Sequence, residues 1–197
     1  MIVLAGGIGS GKSVVARILR LKGWGVYDCD LRARCLMQED EALVDSVKCL
    51  AGEDAYNENG SLRRALLASR IFSDQELRAK INRAVHTAVR ADICAWISEA
   101  PQNIFVESAI AAQSGIAADA DAIWLVVADA SERLERVSLR DSRSEEEIRR
   151  IISLQEEEER ELLMLGKPVE RIFNDADSGS LLRQIGLLEK SIRKSIN

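Results

Sequence analysis

The sequence predicts an α/β fold built on one parallel sheet, and three observations support this. Five short apolar segments alternate with helical patterns along the chain. These segments lack the apolar–polar alternation of half-exposed strands, as expected when both faces of a sheet are covered. A glycine-rich loop joins the first segment to the first helical pattern. Such alternation implies parallel strands linked by right-handed crossovers.

The elements can be assigned in chain order. The predicted strands are Ile2–Ala5, Gly25–Tyr27, Ile104–Val106, Ile123–Val127 and Arg171–Phe173. The first helical pattern runs from Ser13 to Lys22 and stops before Gly23, a residue suited to a left-handed cap. Apolar residues at i+4 spacing, from Ile81 to Ile97, predict an amphipathic helix between the second and third strands. So much helix between adjacent strands predicts a helical insertion that projects from the sheet.

Two charged stretches follow the fourth predicted strand. Glutamates and arginines at i,i+4 spacing over residues 144–163 predict one or two solvent-facing helices. Just before them, Arg133, Arg136, Arg140 and Arg143 recur on one predicted helical face. Arginines on a mobile lid can neutralise charge on a transferring phosphoryl group. The alternative is a solvated face whose arginines pair with nearby glutamates.

Composition indicates a globular protein. The chain has 197 residues, of which 47% are apolar and 4% aromatic, so we expect a core of aliphatic side chains. The net charge of −5 argues against nonspecific nucleic-acid binding, which needs a basic surface. Four cysteines without a C-x-x-C pair, and a single histidine, argue against structural zinc and favour reduced thiols. With no signal peptide or membrane span in the sequence, we expect a cytoplasmic protein.

Residues 6–13, "GGIGSGKS", match the phosphate-binding pattern G-x-x-x-x-G-K-[S/T], with a strand before it and a helix after it. Glycines let backbone N–H groups turn inward around a β-phosphate, and the helix N-terminus adds positive partial charge. Lys12 would reach the β- and γ-phosphates, and the Ser13 hydroxyl would hold Mg²⁺. A glycine turn without a ligand is the alternative, which the complete pattern in context disfavours. The predicted nucleotide-binding residues of this segment are Gly7, Ile8, Gly9, Ser10, Gly11, Lys12, Ser13 and Val14.

Two aspartates end the second predicted strand. Asp28 and Asp30 lie where ligands bind in open α/β sheets, beyond the carboxyl ends of the strands. A carboxylate there could orient an acceptor hydroxyl and take its proton. The alternative is a strand-end turn stabilised by the aspartate's own hydrogen bonds, an interpretation that suits Asp28 better than Asp30.

Together these motifs make the chain resemble the dephospho-CoA kinase family. The resemblance rests on "GGIGSGKS", "YDCDLRAR", "NGSLRRALLASRIF", the lone His86 in "INRAVHTAV", "RVSLRD", Gln155 and "RIFNDADSGSLLRQI". It implies a P-loop NTPase fold of the adenylate-kinase-like type, with a five-stranded parallel sheet. It further implies a single kinase domain over residues 1–197. Within it lie a core (1–30, 101–130 and 166–197), a helical substrate-binding insertion (31–100) and a lid (131–165).

The resemblance also implies an activity and residue roles. ATP, with Mg²⁺, would donate its γ-phosphate to the 3′-hydroxyl of dephospho-CoA, the last step of coenzyme A synthesis. Asp30 would be the base or hydroxyl-orienting group, assisted by Lys12 and the lid residue Arg140, with Arg136 beside Arg140 at the nucleotide. Residues expected at the acceptor are Asp30, Arg34, Arg64, His86 and Glu107. Without the resemblance, Arg64 and His86 would be read as residues of ordinary helix surfaces.

The chain departs from the family pattern after the third strand. The family's Asp, Pro-Leu-Leu and Glu are replaced by Glu107, by residues 109–111 ("AIA") and by Gln113, and Thr87 replaces the proline after the histidine. Two alternatives therefore stay open. One is a P-loop kinase for another hydroxyl or nucleotide acceptor, and the other is a diverged relative that binds ATP without transfer. We expect small-molecule partners only, and a monomer or weak homo-oligomer.

Overall fold

A computed structural model describes residues 1–99, 105–141 and 143–196, with side chains up to residue 192. The strands are β1 (Ile2–Ala5), β2 (Val26–Asp28), β3 (Phe105–Glu107), β4 (Ala122–Val127) and β5 (Val169–Phe173). The helices are α1 (Lys12–Leu21), α2 (Cys29–Glu39), α3 (Glu41–Ala51), α4 (Arg64–Ser73), α5 (Gln75–Glu99), α6 (Ala130–Arg140), α7 (Glu145–Met164) and α8 (Leu181–Ile196). Short 3₁₀ turns cover Glu53–Ala55 and Ile116–Asp119.

The chain divides into two compact units. The first, which we call the sheet unit, comprises Met1–Tyr27 and Ala100–Asn197, and the second, the helical unit, comprises Asp28–Glu99. The helices α6 and α7, predicted as the lid, belong to the sheet unit. The division into core, insertion and lid stays a prediction.

The five strands form one sheet in the order β2-β3-β1-β4-β5. The pairs β1–β3, β1–β4 and β4–β5 are parallel, and Val3 in the centre is in register with Val106 and Ile123. The predicted parallel α/β fold is therefore confirmed, and β1, β2, β4 and β5 each start within two residues of the predicted position. The predicted first residue of the third strand, Ile104, lies outside the described residues.

The core of the sheet unit lies between the sheet and the helices α1 and α8. Leu4, Val15 and Leu19 are fully buried there. Phe105 at the centre packs edge-on against Trp24, with ring centroids 5.6 Å apart, and against Trp124 at 4.8 Å. The expectation of an aliphatic core is incomplete, because Trp24, Phe105 and Trp124 form an aromatic group within it.

The charged segment after β4 forms two helices. Arg133, Arg136 and Arg140 do belong to one helix, α6, but the prediction is wrong for Arg143, which follows the end of α6 at Arg140. Residues 145–164 form the single helix α7, whose N-terminus carries a capping box between Ser144 and Glu147. It is solvent-facing on one side only, because it buries residues at helical spacing: Ile148, Ile152, Glu158 and Leu162.

The helical unit is built around α5. This helix of 25 residues packs against α2, α3 and α4, and it buries Ile81, Val89 and Ile93, which confirms the predicted amphipathic helix. Arg32 of α2 donates to Asp92 of α5 at 2.9 Å. Within the described part of the chain, no helix is both long and apolar enough to span a bilayer.

Candidate active site

The glycine-rich loop occupies residues 6–11, between β1 and α1. Gly9 and Gly11 adopt left-handed backbone conformations, with φ of +75° and +93°. A Cβ on Gly9 would lie 2.6 Å from the carbonyl oxygen of Arg133, and one on Gly11 would lie 2.1 Å from Nδ2 of Asn174. Both the backbone conformation and the close packing therefore require glycine at these two positions.

Three consecutive carbonyl groups of the loop accept hydrogen bonds from side chains outside it. Nε of Arg133 donates to the oxygen of Ile8 at 2.9 Å, and Nη1 of Arg136 donates to that of Gly9 at 3.2 Å. Nδ2 of Asn174 donates to the oxygen of Ser10 at 2.8 Å. The loop is thus held from α6 and from the segment that follows β5.

A fourth contact comes from α7. Oε1 of Gln155 accepts the N–H of Ile8 at 2.6 Å and a hydrogen bond from Nη2 of Arg133 at 3.2 Å. Arg133 is 9% exposed, and this burial lowers the pKa of its guanidinium, while nearby Glu159 and Glu156 act in the opposite direction. Gln155 therefore holds the N–H of Ile8 and Arg133 holds its carbonyl, so that two successive peptide groups of the loop are restrained.

One turn further along α7, Glu158 makes a different contact. Its carboxylate accepts the backbone N–H groups of Ala112 and Gln113, at 2.6 and 3.2 Å, in the connection that follows β3. Burial raises the pKa of Glu158, and the two hydrogen bonds partly offset this effect. The same helix therefore holds both the glycine loop and the segment after Glu107.

Beside the loop, at the start of α1, Lys12 and Ser13 meet at one buried carboxylate. Oε1 of Glu107 accepts from Nζ of Lys12 at 3.0 Å and from Oγ of Ser13 at 3.1 Å. Arg20 approaches the other oxygen at 3.7 Å. The Glu107 side chain is 5% exposed, and these cations offset the cost of burying a carboxylate.

This donor set fits a magnesium ion. A hydroxyl and a carboxylate oxygen are hard ligands of the kind that Mg²⁺ takes, together with phosphate oxygens and water. The described residues contain no cluster of three or more His, Cys, Asp or Glu side chains. Ser13, predicted as the metal ligand, and Glu107, predicted at the acceptor, are two adjacent groups that could hold Mg²⁺ at a bound nucleotide.

The two predicted lid arginines differ in their contacts. Arg136 pairs with Glu132 one turn earlier and donates to the carbonyl of Asn174 at 2.6 Å, besides its contact with the loop. Arg140, in the last turn of α6, has an exposed side chain and pairs with Asp141 at 2.8 Å. This pairing raises the pKa of Arg140 and lowers that of Asp141.

The residues predicted for the acceptor lie in the helical unit, apart from Glu107. Asp30 is exposed in the first turn of α2, and Arg34 follows one turn later on the same face. Asp28 is the N-cap of α2, and its carboxylate accepts the N–H of Leu31 at 2.9 Å, which is the capping interpretation considered for it. Arg64 is the exposed first residue of α4.

His86 lies near the middle of α5 and is half-buried. Desolvation lowers the pKa of its imidazole below the ordinary value, so the side chain is neutral at pH 7. A neutral imidazole can donate from one nitrogen and accept at the other. His86 is therefore suited to a hydrogen bond with a polar ligand group.

A groove of about 870 Å³ lies between α3 and α5 in the helical unit. Its α3 wall carries Asp40 and Asp45, and its α5 wall carries Lys80 and Arg83. None of the four predicted acceptor residues of this unit lines it. This groove and the predicted acceptor residues are therefore separate features of the helical unit.

Sequence reasoning missed the side chains that hold the loop, above all Gln155 and Asn174. Gln155 was named only among the motifs of the family resemblance, and Arg133 was one arginine of a cluster. Their partners in the loop are 147 and 125 residues away, and that of Asn174 is 164 residues away. No local pattern signals contacts at such separations.

A phosphate-binding loop between the first strand and first helix of a parallel sheet defines a P-loop protein, and the Lys12–Ser13–Glu107 cluster is of the kind with which P-loop proteins bind nucleotide phosphates and Mg²⁺. The family model for dephospho-CoA kinase matches residues 1–183. The chain therefore belongs to the dephospho-CoA kinase family. The family resemblance stated from the motifs is confirmed.

Individual relatives agree with this assignment. A dephospho-CoA kinase of Porphyromonas gingivalis is 42% identical over 157 residues, which cover 79% of this chain and 77% of the relative. One of Corynebacterium diphtheriae is 35% identical over 167 residues, covering 82% and 84%. The departures at Glu107 and Gln113 thus occur in a chain that matches the family over most of its length.

Solved structures share the fold. A Thermus thermophilus protein superposes with a TM-score of 0.77 at 29% identity, over 98% of this chain and 96% of the other. A dephospho-CoA kinase of Campylobacter jejuni superposes with a TM-score of 0.70 at 18% identity, over 100% and 98%. The predicted P-loop fold class is confirmed by these neighbours.

Proposed function

We propose that this chain transfers the γ-phosphate of ATP to the 3′-hydroxyl of dephospho-CoA. The observation that carries the proposal is the convergence of Lys12, Ser13 and Glu107 beside the glycine loop, in a chain that belongs to the dephospho-CoA kinase family. Phosphoryl transfer needs positioning and charge stabilisation more than covalent participation by the protein. A rigid backbone loop with one fixed ammonium supplies both.

The nucleotide phosphates would bind to the loop amides and to the N-terminus of α1. Lys12, at 3.0 Å from Glu107, already lies beside the site where the β- and γ-phosphates would bind. Its side chain is 11% exposed, so little rotamer freedom remains to be lost on binding. Ser13 and Glu107 would hold Mg²⁺, which neutralises charge on the phosphates.

Asp30 would accept the proton of the attacking 3′-hydroxyl. It is exposed in the first turn of α2, and that position suits an anionic side chain. Arg34 and Arg64, both exposed, would contact the diphosphate of the acceptor, and neutral His86 would contact one of its polar groups. Arg140 would neutralise charge on the transferring group, and Arg136 would support the nucleotide from the same helix.

The direct experiment incubates the protein with ATP, Mg²⁺ and dephospho-CoA and measures the 3′-phosphorylated product. Turnover well above that of a Lys12→Ala control is expected. Turnover at the level of that control, with dephospho-CoA as the acceptor, would refute the proposal.

Two further outcomes address the alternatives. Transfer to nucleoside monophosphates but not to dephospho-CoA would identify a kinase with another acceptor. ATP binding without transfer to any acceptor would identify a non-catalytic relative, the alternative that the substitutions at Glu107 and Gln113 motivate. We also propose that the protein is cytoplasmic and that it is a monomer or weak homo-oligomer. Sedimentation at several protein concentrations tests the oligomeric state.

A further inference from the structure

We infer that Arg133 and Asn174 are positioning residues, which aim the amide groups of Gly9 and Gly11 at the nucleotide phosphates. Each donates to a loop carbonyl, Arg133 to that of Ile8 at 2.9 Å and Asn174 to that of Ser10 at 2.8 Å. The inference rests on the proposed function in one respect, because it requires that the loop bind phosphate.

The argument begins with peptide geometry. A trans peptide group is planar, and its C=O and N–H point in opposite directions. A side chain that holds the carbonyl of Ile8 therefore also fixes the N–H of Gly9, on the other side of the chain. In the same way, the bond from Asn174 to the carbonyl of Ser10 fixes the N–H of Gly11.

The amide of Ser10, which lies between those of Gly9 and Gly11, is already hydrogen-bonded within the loop. The N–H of Ser10 donates to the carbonyl of Gly7 at 3.2 Å, and the carbonyl of Gly9 accepts from Arg136. The N–H of Ile8 donates to Gln155. Of the amides from Ile8 to Gly11, those of Gly9 and Gly11 are therefore the pair directed away from the supporting side chains.

Glycine makes such support necessary. Peptide groups next to glycine reorient at low energetic cost, since glycine occupies positive and negative φ about equally well. A loop that must present fixed amides therefore needs restraints from outside. The close packing of Gly9 on the backbone of Arg133 and of Gly11 on the side chain of Asn174 shows where those restraints act.

Both supporting side chains are themselves restrained. The guanidinium of Arg133 is buried and also donates to Gln155, so its orientation is fixed by two acceptors. The backbone of Asn174 is tied on both sides, because its N–H donates to Val127 at 2.8 Å and its carbonyl accepts from Arg136 at 2.6 Å. The two anchors come from different elements, so they can be tested separately.

The test compares Asn174→Leu and Arg133→Gln with a control variant, Ser178→Ala. Leucine has nearly the shape of asparagine but no donor. Ser178 stabilises the same connection after β5, because its hydroxyl donates to the carbonyls of Phe173 and Asp175. That hydroxyl donates neither to Arg133 or Asn174 nor to the glycine loop. Calorimetry then measures the affinity for ADP and for inorganic tripolyphosphate, with thermal unfolding as the measure of stability.

Each anchor variant should weaken binding of both ligands about tenfold, the effect of losing one well-aimed hydrogen bond to a charged group. The control should change binding less than twofold. Equal losses in the control and in the anchor variants would assign both anchors a structural role only and would overturn the inference. If Arg133→Gln does not fold, Asn174→Leu decides the question alone.

A second measurement distinguishes the two anchors. In NMR spectra of the labelled protein, ADP should shift the amide protons of both Gly9 and Gly11 downfield. Arg133→Gln should reduce the shift of Gly9 selectively, and Asn174→Leu that of Gly11. Identical losses at both amides in both variants would contradict the assignment. A wild-type protein that binds neither ligand would refute the proposed function itself, whereas normal wild-type binding with unaffected variants would refute this inference alone.

Discussion

The two units of the chain hold their functional groups in different ways. In the sheet unit the glycine loop presents backbone groups, and Arg133, Arg136, Gln155 and Asn174 each bond to that backbone. In the helical unit the predicted acceptor residues would act through side chains, and Asp30, Arg34 and Arg64 are all exposed on their helices. A backbone site must be built by the fold, whereas a side-chain site needs only the correct residue on a stable helix.

This difference has consequences for substitution. Changes in the sheet unit should affect stability and nucleotide binding together, because the loop and its supports share hydrogen bonds. Changes to exposed residues of the helical unit should affect turnover with little loss of stability. The following predictions test that contrast.

The largest combined effect on activity and stability is expected at Lys12. Replacing it with methionine removes the one side-chain cation of the loop, and kcat should fall by roughly 10²–10³. Stability should fall too, because buried Glu107 would keep only the more distant Arg20 as a cationic partner. Product formation and urea unfolding measure the two effects.

A double variant separates them. Lys12→Met combined with Glu107→Gln removes the buried carboxylate as well as its partner, so it should recover stability relative to Lys12→Met but no activity. Recovery of activity in the double variant would show that Lys12 acts only by neutralising Glu107.

The next effect concerns two glycines with similar positive φ angles. Gly9 in the loop and Gly60 in the helical unit have φ of +75° and +79°, but a Cβ on Gly60 would meet nothing within 4 Å. Gly60→Ala should cost about 1–2 kcal/mol for the left-handed conformation alone. Gly9→Ala should cost a further ~1–3 kcal/mol from the contact with Arg133 and should also weaken ADP binding. Equal free energies of unfolding for the two variants would contradict the packing argument.

The sequence predicts the features that depend on neighbouring residues, but not those that depend on long-range contacts. The motif around Lys12 specifies the loop, the strand before it and the helix after it, because glycines, lysine and serine at this spacing are typical of a phosphate-binding loop in that context. The alternation of apolar segments specifies the parallel sheet. The capping role weighed for Asp28 was also accessible, since it depends on an amide only three residues away.

The side chains that support the loop could not be predicted from local sequence patterns. Arg133 follows the same local pattern as exposed Arg140, and the burial that distinguishes them arises only when α6 packs against the loop. Along α7, Gln155 and the buried Glu158 stand in a run of glutamates, and nothing in the sequence pattern distinguishes them from exposed neighbours. The helix ends at Arg140, before Arg143, so a spacing argument alone placed Arg143 on a face to which it does not belong.

The smallest predicted effect is a difference in pH dependence between two glutamates of α7. Burial raises the pKa of Glu158, so its contribution to stability should be present below about pH 4.5 and decline as the pH rises through its native pKa. Hydrogen bonds from the backbone and side chain of Ser144 lower the pKa of exposed Glu147, so its contribution should be present above that pH and decline as the pH falls.

Urea unfolding of the wild type, Glu158→Gln and Glu147→Gln between pH 3 and 8 measures this difference. Relative to Glu158→Gln, the wild type should lose stability as the pH rises, and relative to Glu147→Gln it should gain stability. Slopes of the same sign for both variants would contradict the assigned environments.

The most direct test of the central claim concerns Asp30. If the glycine loop binds the nucleotide and Asp30 activates the acceptor hydroxyl, the two tasks are separable. Asp30→Asn should then leave ADP affinity within about twofold of the wild type and lower kcat by roughly 10²–10⁴. An unchanged kcat for transfer to dephospho-CoA would contradict the account.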